Sequence, residues 1–390
     1  MKVCYNMIMK QNDISNPFIP TFGVSPSIFV GRSRLVDEFM VGLASPIGNP
    51  HRASIFTGPR GSGKTTLLFE IKERASFEGW VTIKITANEN LLDDLIEEIK
   101  INTASLLKKE GRKITGISFS GIGLSIEPTI KEDLGWRQQL SLLIDQINEF
   151  GSKVLFLIDE VQANTDKMRI LATAYQDFVG SGKDIAIAMA GLPSVMSDML
   201  NDDVLTFLRR AHHEVLENVG IAEVLASYKK TLNQFEYRIK EDALQLAAQA
   251  TTGYPYLIQL IGYNMWMQST NRTISLENVI SSVEISKETM YNSVHATSFK
   301  QISKNDLKLT IAMSEDLHSS QIANILERTG WKSEYLSKYR ARLIDAGIIY
   351  SPSRGVLEFT LPFTRDYVRE VVLQECLDRP SDVKSIDGIA

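Results

Sequence analysis

The spacing of apolar residues changes period repeatedly along this chain, and each change marks an element. Ala53-Ser54-Ile55-Phe56-Thr57 is a short, β-rich run. A glycine-rich turn follows, GPRGSGKTTLL from Gly58 to Leu68, and then Leu67, Leu68, Ile71 and Ala75 fall at helical spacing. Val81 to Thr86 reads as a second strand. Lys153-Val154-Leu155-Phe156-Leu157-Ile158-Asp159-Glu160 holds an unbroken apolar stretch, as expected of a strand buried on both faces. Ile185 to Gly191 is another. Helical patterns over Leu91 to Leu107 and Trp136 to Phe150 lie between them. Strands alternating with helices predict an α/β fold with a parallel sheet covered on both faces. Ile114 to Pro128 alternates and carries glycines, which predicts a hairpin inserted between two helices.

From about Ile221 the pattern is helical throughout, with Gly253 and Pro255 punctuating it. From Asn305 short helices are followed by two strands: Asp306 to Met313, Ser319 to Glu327 with serine as a cap, and Glu334 to Ala346 ended by Gly347. Ile348 to Tyr350 and Val356 to Leu361 then flank a tip at 351–355. This order looks like a winged helix-turn-helix. In its third helix Tyr335, Leu336, Tyr339 and Leu343 are expected to face inward. The expected domains are an α/β core with its N-terminal segment (1–215), a helical lid (216–296), a winged helix (297–375) and a flexible tail (376–390). The apolar stretch Asn16 to Gly23 is expected to pack on the core.

Composition narrows the class. The chain has 390 residues, 44% hydrophobic and 23% charged, with a formal net charge of −5. Nucleic-acid binding would therefore need a local basic patch. Its two cysteines, Cys4 and Cys376, argue against a disulfide framework or thiol zinc cluster and suit a reducing cytosol. No apolar run approaches the roughly 18 residues that span a bilayer. The expectation is a soluble cytoplasmic protein with no membrane partner.

The candidate chemistry starts at the glycine-rich turn. A G-x-x-x-x-G-K-[ST] match lying between a strand and a helix is a phosphate-binding P-loop. Gly58, Pro59, Arg60, Gly61, Ser62 and Gly63 would wrap backbone amides around an anion, and the following helix would present its N-terminal N–H groups. Lys64 would sit beside the β and γ phosphates, with Thr65 offering a hydroxyl to Mg²⁺ and Thr66 next in line. Asp159, at the end of a buried strand, would hold the metal. Glu160 would orient or deprotonate water. Ser303-Lys304-Asn305-Asp306 is the nearest approach to a guanine-specific motif and stands in a helical context, so adenine is favoured.

Together these features resemble AAA+ ATPases, in particular the origin-recognition initiator-like branch, and are also similar to STAND signalling ATPases. The matching stretches are Phe29-Val30-Gly31-Arg32, GPRGSGKT, VLFLIDE, GLPS after the next strand, Arg209-Arg210, and Gly253-Tyr254-Pro255-Tyr256. The resemblance implies that Gly31 and Arg32 lie near the adenine, that Pro255 belongs to the nucleotide site, and that Arg209 or Arg210 is an arginine finger acting on a neighbouring subunit, hence a homo-oligomer. It also implies a polar sensor after the fourth strand, for which Ser194 is a poor candidate. Tyr256 replaces the lid arginine of the AAA+ pattern, which favours a slow switch.

Two functions follow as expectations. One is an ATP- and Mg²⁺-dependent switch whose winged helix contacts double-stranded DNA through Lys332, Ser337, Lys338, Arg340 and, at the wing tip, Arg354. The other is a STAND-like, nucleotide-gated scaffold whose winged helix docks a protein. The slight basic excess between Lys300 and Glu370 leaves both standing.

Overall fold

In the computed structural model the described residues are 16–21, 29–109, 135–161, 166–201, 205–300 and 302–374. The hairpin expected at 114–128 and the tail from 376 lie outside them. Among the described residues no helix is long and apolar enough to cross a membrane. By internal contacts the chain divides into two units. One comprises 32–58 and 63–217; the other comprises 1–31, 59–62 and 218–390.

The first unit is a five-stranded, wholly parallel sheet. Its strands are β1 (Ala53–Thr57), β2 (Trp80–Thr86), β3 (Lys153–Val161), β4 (Ile185–Gly191) and β5 (His212–Val215), in the order β2-β3-β4-β1-β5. Alternation explains the layering. Val154, Phe156 and Ile158 of β3, with Ile185, Ile187 and Met189 of β4, join a core built with α3 (Leu91–Lys109), α4 (Trp136–Glu149) and α5 (Asp166–Gly180). Leu155, Leu157 and Asp159 point to the opposite face, against which α2 (Lys64–Phe77) packs beside α1 (Ser33–Ala44). Every position of β4 is buried, as expected of a central parallel strand. The sheet and its helix layers agree with the α/β expectation.

β3 departs from it at one place. The strand continues past Asp159, and its register with β4 slips between Ile158 and Val161. Glu160 takes φ +52 at the slip. In regular alternation Glu160 would enter the core beside Ile158, where an unpaired carboxylate is costly. The bulge gives that place to Val161 and leaves Glu160 exposed. The strand β5 had no counterpart among the expected elements.

The second unit holds two cores. Helices α7 (Ile221–Gln234), α8 (Glu241–Ala250), α9 (Pro255–Gln268) and α10 (Leu276–Met290), with the small pair β6 (Arg238–Ile239) and β7 (Thr273–Ile274), surround the first. Of the N-terminal stretch expected on the α/β core, Asn16, Phe18 and Ile19 are found against this core instead. Phe18 is fully buried and edge-on to Tyr228, and Ile19 N–H donates to Gln259 Oε1. The second core belongs to α11 (Lys304–Ser314), α12 (Ile322–Thr329), α13 (Ser333–Asp345) and an antiparallel sheet of β8 (Ser320–Gln321), β9 (Ile349–Tyr350) and β10 (Val356–Phe359), ordered β9-β10-β8.

Two local expectations are corrected. The serine expected to cap the second of these helices does not. Ser320 lies in β8 and donates to the Met313 carbonyl, and Gln321 is the N-cap without a side-chain bond. Tyr335 is not inward: it is 43% exposed, whereas Leu336, Tyr339 and Leu343 are buried. Its ring lies edge-on to Trp331 and its hydroxyl meets Asn305 and Tyr339.

Candidate nucleotide site

The glycine-rich turn joins β1 to α2 at the C-terminal edge of the parallel sheet, where ligands of open α/β sheets bind. Gly61 and Gly63 take φ +71 and +87, a region open to glycine at little cost. Gly63 is the N-cap of α2 and makes no side-chain cap bond. Lys64 Nζ folds back over the turn and donates to the Gly58 carbonyl at 2.7 Å. Ser62 is buried, Thr65 and Thr66 are half-buried in the first turn of α2, and Arg60 is exposed.

Within the second unit, Tyr254 Oη donates to the Arg60 carbonyl at 2.8 Å. A Cβ on Gly61 would lie 1.9 Å from that hydroxyl, so position 61 has no room for a side chain. Burial raises the Tyr254 pKa, which keeps the phenol a donor. Tyr254 was not singled out from the sequence as a site residue. Pro255 follows as the first residue of α9 and is half-buried; Tyr256 packs edge-on to Tyr254.

Asp159 is 4% exposed and sits at the same edge of the sheet as Thr65. Its Oδ1 accepts the backbone N–H of Glu160 at 3.0 Å, and its Oδ2 lies 3.3 Å from Lys84 Nζ. β2 pairs with β3 so that Thr86 stands opposite Asp159, with Lys84 two residues earlier on the same face. The Lys84 ammonium also lies 4.4 Å from the centre of the Phe69 ring on α2. The sequence contained a signal for this pair: a lone lysine in a strand that is otherwise apolar or threonine.

The remaining candidates are more dispersed. Arg32 is buried, and its guanidinium donates to the Glu217 carbonyl at 2.5 Å; Gly31 before it has φ +72. Arg209 and Arg210 end a short 3₁₀ turn just before β5. Both are exposed, with Arg209 Nε donating to Leu200 O at 2.8 Å. Ser194 stands in the first turn of α6 (Pro193–Asn201). Lys332, Ser337 and Lys338 are exposed on or just before α13, and Arg354 is exposed in the β9–β10 turn. Arg340 is half-buried, and its Nε makes no hydrogen bond.

The residues present fit a metal-bound nucleoside triphosphate. The fit rests on a loop whose glycine admits no Cβ, a lysine held over it, and a buried carboxylate at the same sheet edge. Asp159 and Thr65 would supply two oxygens to a hard divalent cation, leaving the others to phosphate and water.

Comparison with known proteins gives the fold. A family model described as a domain of unknown function, DUF8462, matches residues 292–368. A search of curated proteins gives no match. Among solved structures the chain is similar to a Walker-type ATPase of Pyrococcus abyssi, with TM-score 0.60 and 12% identity over 87% of this chain and 96% of that one. It is also similar to the ORC2 protein of Aeropyrum pernix in its ADPNP–ADP complexes, with TM-score 0.55 and 12% identity over 92% and 98%. The chain thus has an α/β P-loop NTPase fold whose structural neighbours are archaeal Walker-type and Orc-type ATPases.

Proposed function

We propose that this protein is an ATP-binding, slowly hydrolysing switch of the AAA+ type. The observation that carries the reading is the Lys64 ammonium held over a β1–α2 loop that excludes a Cβ at Gly61. Bound triphosphate offers Lys64 better acceptors than the Gly58 carbonyl, so the ammonium turns from one to the other. The loop amides and the N-terminus of α2 orient the phosphates. Asp159 and Thr65 would hold a magnesium ion, which when bound would neutralise phosphate charge. Glu160 is exposed beside Asp159 in a left-handed conformation, a costly arrangement of the kind found at functional sites. It would hold the attacking water. Gly31, Arg32 and Pro255 would flank the nucleotide. Arg209 or Arg210 would act on the nucleotide of a second copy in a homo-oligomer. The domains are an α/β core to residue 215, a lid over 216–296 and a winged helix over 297–375, in a cytoplasmic protein.

The test is calorimetric titration with ATP and Mg²⁺. Lys64→Ala should weaken binding by at least about tenfold, the worth of a charge-assisted hydrogen bond. Glu160→Gln should retain binding and lose turnover. No heat with any nucleoside triphosphate, from folded protein, would end this reading.

The C-terminal elements are read as a DNA-binding winged helix, with Lys332, Ser337 and Lys338 exposed along α13 and Arg354 on the hairpin. Titration of the whole protein with duplex DNA at several salt concentrations checks this. Lys338→Ala/Arg354→Ala should reduce the slope of log K against log salt by about 2. A second reading, a nucleotide-gated scaffold for a protein partner, is favoured by the exposed Tyr335 against Trp331. Absence of duplex binding even at low salt would leave that reading in place of the first.

A further inference from the structure

Lys84 is an unusual residue for its position. It lies on β2, the edge strand that pairs with β3 among the described strands, yet its side chain is only 13% exposed. Burying an ammonium is costly unless it is paired. Its partners are Asp159 Oδ2 at 3.3 Å and the face of Phe69 at 4.4 Å. Phe69 lies on α2, the helix that continues from the glycine-rich loop. The ammonium is therefore held between the carboxylate that would bind the metal and the helix that would bind the phosphates. The other carboxylate oxygen already accepts the Glu160 amide.

We propose that Lys84 is the resident counter-cation of Asp159, and that it sets how strongly nucleotide binding depends on divalent metal. This inference rests on the nucleotide-binding reading above. Without nucleotide, a divalent ion at Asp159 would meet the ammonium a few ångströms away in a site of low dielectric, where like charges repel strongly. The triphosphate adds enough negative charge for both cations to remain. Lys84 then has two opposite effects: it weakens the hold of Asp159 on the metal, and it supplies part of the metal's charge when none is present. A lysine that only stabilised the sheet would do neither.

The test is equilibrium titration of the whole protein with a fluorescent, non-hydrolysable ATP analogue, from EDTA up to millimolar Mg²⁺. For Lys84→Gln the Mg²⁺ midpoint should fall by about tenfold and affinity in EDTA should drop by a similar factor, the scale of one close charge. Lys84→Arg, which keeps the charge, should stay near wild type. A Lys84→Gln midpoint within twofold of wild type would overturn the inference. Should the uncompensated carboxylate prevent Lys84→Gln from folding, Asp159→Asn is compared with Lys84→Gln/Asp159→Asn, both of which lack that charge. The midpoint should again be lower in the double variant, because the Lys84 ammonium repels the metal directly whether or not Asp159 is charged, and equal midpoints would overturn the inference. Wild type that binds no nucleotide in either condition removes the nucleotide reading and this inference together. Wild type that binds, with an unmoved variant midpoint, removes this inference alone.

Discussion

Gly253→Ala is expected to destabilise the second unit by about 4 kcal/mol or more, combining a left-handed backbone with a lost backbone hydrogen bond. Gly253 has φ +74, and an added Cβ would stand 2.0 Å from the Val219 carbonyl oxygen and 3.0 Å from its carbon. The obstructing atoms are backbone, so no rotamer change relieves them. The two strands of chain must separate, which breaks the 2.8 Å bond from Val219 N–H to the Gly253 carbonyl. The Thr251 hydroxyl that accepts the Gly253 N–H would be disturbed as well. Gly347→Ala is the control. It has φ +70 with nothing within 4 Å of the added Cβ, so it should cost only about 1–2 kcal/mol for the conformation alone. Urea unfolding followed by far-ultraviolet circular dichroism measures both. Equal midpoints for the two variants would show that the Val219 clash is absent. Gly253 opens the Gly-Tyr-Pro segment, so this variant should also displace Tyr254 from the Arg60 carbonyl.

What the sequence made legible was local. The β1–loop–α2 unit could be read because each of its parts lies within some 20 residues: a β-rich run, glycines where left-handed angles are needed, and a helical period after them. The strands β2, β3 and β4 could be read because burial on both faces demands unbroken apolar runs. β5 could not. His-His-Glu-Val is short and polar, and it is a strand only because β1 offers it an edge. Lys84 was legible as a strand residue but not as a partner of Asp159, since their meeting depends on the β2–β3 register across more than 70 intervening residues. Glu160 was identified by type, while the bulge that exposes it comes from competition between Glu160 and Val161 for one core position. Tyr335 was misplaced because it lies at the margin of the apolar stripe of α13, where helical period alone cannot choose between Leu336 and its neighbour. Trp331 and Asn305 make that choice.

The pH dependence of stability should be dominated by a residue for which sequence reading gave no role. His295 ends a π-helical turn, Tyr291–His295, that continues α10. It is fully buried among Tyr291 and Tyr367, with Nε2–H donating to the Pro362 carbonyl at 3.0 Å. Nδ1 is buried and makes no hydrogen bond. Protonation would place a charge on that nitrogen, and burial accordingly pushes the pKa from 6.5 down to about 4, against the opposing effect of the Pro362 carbonyl. The sign follows. Above pH 7 the imidazole is neutral in both states and its contribution is complete. Between 6.5 and 4 the unfolded chain takes up a proton that the folded chain refuses, so stability falls as pH falls. Below about 4 both states are protonated and the loss levels off, at about 3 kcal/mol for a shift of this size. The pair of Lys287 with Glu370 overlaps only the acid end of this window, from the ordinary glutamate value of 4.5 downward. The Lys287 ammonium holds the Glu370 carboxylate below its ordinary value, so its contribution to stability is intact above about pH 5 and is lost in more acid solution. Urea unfolding at steps from pH 7.5 to 4.5 should show the decline in wild type and a flatter profile in His295→Gln, whose amide can still donate to Pro362. Parallel profiles would mean that the proton is taken up elsewhere. Because the π turn lies between α10 and the core of α11 to α13, the same acid range should loosen the amides of 291–299 in hydrogen exchange before those of α8.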